Sequence, residues 1–122
     1  MQNMVTRLFN PEEALDRLGN DTALLKHLVL TFQGDFTRQR DALEDAIGSG
    51  SLPQLKKELQ GLKGSSAAVG AAVIAENIRD LEQRIAAGSA GWSEAVATSR
   101  HVLQQLQAVQ KEFGTWMQSA EC

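Results

Sequence analysis

Apolar residues recur along this chain at intervals of three and four, the spacing that gathers them on one side of an α-helix. One stripe runs through Leu25, Leu28, Phe32, Phe36, Leu43 and Ile47, and a second through Leu52, Leu55, Leu59 and Leu62. A third holds Ile74, Ile78, Leu81 and Ile85, and a fourth Ala95, Val102, Leu106, Val109 and Phe113. A shorter leading segment carries Leu15 and Leu18. No stretch alternates with period two over a strand's length. Asn10-Pro11-Glu12-Glu13 reads as a helix start, with Asn as cap, Pro in the first turn and Glu13 able to reach back. Asp21 caps the next segment, and Ser51-Leu52-Pro53-Gln54 offers a third start. Gly19, Gly48-Ser49-Gly50, Val69-Gly70 and Gly88 supply the breaks. The pattern predicts an all-α fold. Four amphipathic helices with short links pack most simply as an antiparallel four-helix bundle, here with a short additional N-terminal helix, in a single domain over residues 1–122.

Composition narrows the function. With 122 residues, 43% of them hydrophobic and 22% charged, the chain suits one globular core. A net charge of -3 argues against nucleic-acid binding, which draws on a basic excess. The chain has two histidines, His27 and His101, one cysteine, Cys122, and no tyrosine. Enzyme chemistry and transition-metal sites lean on those side chains, so neither catalysis, a metal nor a cofactor is expected. Both histidines fall on outward helix faces, and no His, Cys or carboxylate pair has metal-ligand spacing. Trp92 and Trp116 read as caps at the ends of the last helix, and Asp41, Glu44 and Asp45 as a solvated run. A lone cysteine forms no internal disulfide, and no apolar run approaches the roughly 20 residues that span a bilayer. Met1 to Arg7 lack the apolar core of a secretory signal. A cytoplasmic monomer without membrane contact is the expectation.

The segment from Leu59 to Ala71 carries the chemistry. At about 100° per residue, Leu55, Leu59, Leu62 and Ser66 share a band of roughly 60° that must face the core. Gln60 lies about 130° from that band's centre and points to solvent. Lys56 and Gly64 stand one turn before and after it, and Lys57 and Lys63 are its neighbours at three residues. Gly61 and Gly64 each cost about 1 kcal/mol against alanine in a helix, so something should offset them. Close packing suits Gly61, on the flank nearer a neighbouring helix. Gly64 faces outward, where a missing side chain admits another surface to the backbone. The lysines point to a negatively charged visitor, although Lys56 and Lys57 taken alone fit a solvated helix face.

At these residues the sequence resembles the histidine-containing phosphotransfer (HPt) domains of two-component phosphorelays, whose motif reads roughly His-x-Leu-Lys-Gly-Ser-Ser/Ala with a Gly-Ala pair soon after. Leu62-Lys63-Gly64-Ser65-Ser66 and Gly70-Ala71 match it, and the likeness extends over roughly residues 9 to 87, from the Leu18-Gly19-Asn20-Asp21 turn to Leu81-Glu82. The resemblance implies a four-helix bundle with an exposed histidine that takes a phosphoryl group from one receiver-domain aspartate and gives it to another. It implies that Lys63 offsets phosphate charge and that Gly64 leaves room for the receiver. The partners it implies are a response-regulator receiver domain, a hybrid sensor histidine kinase, or both.

The active histidine would fall on Gln60. An imidazole has an available nitrogen lone pair near neutral pH, whereas the lone pair of an amide nitrogen is delocalised into its carbonyl. The segment therefore reads as a phosphotransfer surface without its nucleophile, with Gln60, Lys63, Gly64, Lys56, Lys57 and Ala67 as partner-binding residues. Two histories give this residue. One is a natural pseudo-phosphotransfer protein that binds receivers or kinases. The other is an active phosphotransfer protein carrying an engineered His→Gln change. The otherwise intact motif suits a single engineered change, while Leu59 and Gly61, which also depart slightly from the family pattern, favour the natural case.

Overall fold

The computed structural model describes residues 7–120 and, among them, is all helical: six helices and no strand. They are α1 (Pro11–Arg17), α2 (Thr22–Gly34), α3 (Phe36–Ser49), α4 (Leu52–Ala68), α5 (Ala72–Ala86) and α6 (Trp92–Ala120).

Short polar side chains set three of the starts. Asn10 accepts the Glu13 N–H at 3.1 Å, Asp21 accepts that of Leu24 at 3.0 Å, and Ser51 accepts that of Gln54 at 3.3 Å. The reciprocal half of each expected capping box is absent. Glu13 turns instead to Arg17, and the Ser51 N–H donates to Ser49 Oγ at 3.1 Å. At α6 the contact runs the other way, as Glu94 in the first turn accepts the Gly91 N–H at 2.9 Å.

The stripe from Leu25 to Ile47 does not form one helix. It is divided at Asp35, which ends α2 and begins α3 with φ -90° and ψ -2°. The Asp35 N–H still reaches the Thr31 and Phe32 carbonyls, and its own carbonyl accepts from Gln39 at 2.9 Å. The chain bends without leaving the right-handed region, and the apolar stripe passes through the bend.

α4 packs against α3, α5 and α6, while α6 also touches α2, α3 and α5. The shared core includes Leu25, Val29, Leu43, Leu55, Leu59, Ile74, Ile78, Leu81, Val102 and Leu106. An aromatic cluster fastens the chain's beginning to its last helix. Phe113 meets the edges of Phe9 at 4.8 Å and Phe32 at 5.6 Å, and Trp116 lies 5.6 Å from Phe9. Glu112 accepts the backbone N–H groups of Leu8 and Phe9 at 3.2 and 2.9 Å. Trp92 and Trp116 are half-buried against the core. No helix among the described residues is long and apolar enough to cross a membrane.

Candidate functional site

α4 presents two opposed faces. Leu55, Leu59, Leu62 and Ser66 are buried, and Lys56, Lys57, Gln60, Gly61 and Gly64 are exposed. Lys63 and Ala67 are half-buried on the margins. The exposed amide of Gln60 is thus flanked by helix backbone that carries no side chains.

The role expected of Gly61 does not hold. It is exposed, and a methyl group placed on its Cα would find nothing within 4 Å; the same is true of Gly64. Neither glycine is explained by close packing inside the chain. At about 100° per residue Gly61 falls about 130° from the centre of the buried band, as far from it as Gln60 but on the other side. Both glycines open the same outer face.

α5 supports one margin of this face. Lys63 Nζ lies 2.6 Å from Glu82 Oε1, with the two side chains 28% and 26% exposed. On the other margin α3 contributes Gln39, whose Nε2 donates to Ser65 Oγ at 3.4 Å. Lys56 and Lys57 form no ion pair among the described residues.

The C-terminal end of α4 is braced by residues distant in sequence. Arg17 of α1 donates from Nη2 to the Ala67 carbonyl at 2.8 Å, satisfying an acceptor in the last helical turn. The Asn10 N–H donates to the Gly70 carbonyl at 2.8 Å. Gly70 has φ +83°, and a Cβ there would stand 2.9 Å from both the Ala14 Cβ and the Asn10 carbonyl oxygen. The Gly70-Ala71 pair is therefore a structural joint, where α1 lies against the α4–α5 turn.

Sequence reasoning had no means of finding Arg17, Gln39 or the pairing of Glu82 with Lys63, because each joins elements through tertiary contact. His27 and His101 are exposed on α2 and α6, away from α4 in sequence, as are Asp41, Glu44 and Asp45 on α3. Among the described residues no three His, Cys, Asp or Glu side chains are grouped so as to hold a metal ion.

These features define a small helical module with one exposed, glycine-opened helix face flanked by lysines. The family model of the Hpt domain matches residues 27–112, which include all of α3, α4 and α5. The chain belongs to the Hpt domain family, whose members are phosphocarrier modules of phosphorelays, not enzymes, and interact with response-regulator receivers and kinases. Nothing matches the chain among curated proteins or solved structures.

Proposed function

We propose that this chain is an HPt-like signalling module that docks receiver domains, or a kinase, through the Gln60 face and holds no phosphoryl group at residue 60. In this reading it acts in the cytoplasm as a single domain, with α2 and α3 as one bent arm that forms the antiparallel four-helix bundle with α4, α5 and α6, and α1 as the short additional N-terminal helix. One observation carries the reading: an exposed glutamine amide, with no nitrogen lone pair to attack phosphorus, stands where Gly61 and Gly64 leave the helix open. Ala67 and the bare backbone supply apolar contact, and Lys56 and Lys57 supply positive charge towards an acidic partner.

Gly64→Arg fills the open space with a long cationic side chain. Receiver binding, measured by isothermal titration with receiver domains from the same genome, should be lost while helix content and melting stay unchanged. Binding at full strength would show that partners do not approach along this face.

A second reading is an active phosphotransfer protein bearing an engineered His→Gln change, and the intact Leu62-Lys63-Gly64-Ser65-Ser66 run favours it. It predicts that Gln60→His takes labelled phosphate from a phosphorylated receiver, and that the source gene encodes histidine at this position. A glutamine codon with no transfer to Gln60→His removes it.

A further inference from the structure

Of the three lysines around Gln60, one differs from the others. Lys56 and Lys57 are exposed and form no ion pair among the described residues, whereas Lys63 is half-buried with its ammonium 2.6 Å from Glu82 Oε1. Lys63 is one of the two lysines three residues from Gln60, on adjoining parts of the helix surface. A carboxylate at hydrogen-bond distance cancels most of an ammonium's field beyond the pair. Water exclusion around two side chains that are about three-quarters buried strengthens their mutual hold. Seen from residue 60, the pair is close to neutral. The free positive charge lies towards the N-terminal end of α4, at Lys56 and Lys57. A partner that brings a dianionic phosphoryl group to residue 60 must therefore draw Lys63 away from Glu82 or leave the dianion without a local counter-charge.

We infer that Glu82 selects which form of a receiver the Gln60 face accepts: by holding Lys63, it favours the unphosphorylated receiver over the phosphorylated one. This rests on the docking reading above. It adds a specificity determinant on α5, at the Leu81-Glu82 pair, to the residues of α4. A glutamine at position 60 needs no counter-ion for a phosphoryl group, so the face can present its lysine already neutralised. The chain would then occupy receivers before they are charged with phosphate and release them afterwards.

The test uses the full chain and receiver domains from the same genome, each titrated with and without beryllofluoride, which mimics the aspartyl phosphate. The unaltered chain should bind the unloaded receiver more tightly than the loaded one. Glu82→Gln frees the Lys63 ammonium and should move the ratio of the two affinities about tenfold towards the loaded form, a coupling of the size common between interacting sites. Lys63→Gln combined with Glu82→Gln should return the ratio to its starting value, because no ammonium remains to free. If Glu82 only fastens α4 to α5, Glu82→Gln lowers the melting temperature and weakens both forms equally. A ratio that moves less than twofold overturns the inference while leaving docking intact. A chain that binds no receiver in either form removes the docking reading and this inference with it.

Discussion

Replacing Gly70 with alanine should destabilise the protein far more than the same change at Gly88, although both have left-handed backbones, with φ of +83° and +79°. An L-residue in that region costs about 1–2 kcal/mol. Loss of glycine's freedom in the unfolded chain returns about 0.5–1 kcal/mol. At Gly88 nothing else is added, because its Cβ would meet open space. At Gly70 the new methyl would lie 2.9 Å from Ala14 Cβ and 2.9 Å from the Asn10 carbonyl oxygen. Neither neighbour can rotate aside. Ala14 Cβ is fixed to the α1 backbone, and the Asn10 carbonyl is held by the Ala14 N–H at 3.2 Å. Forcing such a contact adds about 1–3 kcal/mol, so Gly70→Ala should cost roughly 2–4 kcal/mol in all. In a domain of this size that corresponds to a fall in Tm of about 8–16 °C. Urea unfolding gives the free energy and thermal unfolding the Tm, each followed by far-ultraviolet circular dichroism for both variants. Equal losses at the two positions would refute the argument that α1 presses against this turn.

Gly61→Ala and Gly64→Ala should each raise stability by about 1 kcal/mol, since both positions are helical and open; a lower urea midpoint would contradict the exposed placement. Phe113→Ala should cost about 3–5 kcal/mol, because this fully buried ring joins Phe9 to Phe32, and the loss should appear as a collapse of the thermal midpoint. The hydrogen bond from the Gly91 N–H holds the Glu94 carboxyl below the usual glutamate range. Such a group adds stability that is complete above its unfolded-state pKa and disappears as pH falls through the lower folded-state value. Glu94→Gln should therefore lower stability at neutral pH, leave it little changed in strong acid, and so flatten the acid side of the profile, as titrations of Tm against pH would reveal.

Much of the helical layout is legible in the sequence because it depends on neighbours a few residues apart. Asn10, Asp21 and Ser51 cap where short polar side chains preceding apolar stripes should cap, and the outward placement of Gln60 follows from its angle to Leu55, Leu59 and Leu62. The bend at Asp35 is not legible. Asp35 stays right-handed, and Leu25, Phe32, Phe36 and Leu43 keep their spacing through it. The open placement of Gly61 is legible by the same angle, about 130° from the centre of the buried band, and the packing expected of it is not found: nothing comes within 4 Å of its missing Cβ. Within the candidate site, the spacing of Lys56, Lys57, Gln60 and Gly64 is a property of one helix and can be read directly. The neutralised state of Lys63 belongs to α5 and appears only when Glu82 is folded against it.

The brace on the end of α4 comes from residues that precede the stretch matching the Hpt family. Arg17 and Asn10 both lie before residue 27, yet one grips the Ala67 carbonyl and the other the Gly70 carbonyl. A fragment cut to residues 27–112 would keep every residue of the motif and lose both grips, together with the Phe9 ring that seats the N-terminal segment on α6. Its last α4 turn would exchange amide hydrogens faster than in the whole chain, and a partner would meet a surface that must be ordered during binding. The borders of the family-model match and the borders of mechanical support are different here, and the C-terminal turn of α4, beyond Gln60, is braced by residues outside that match.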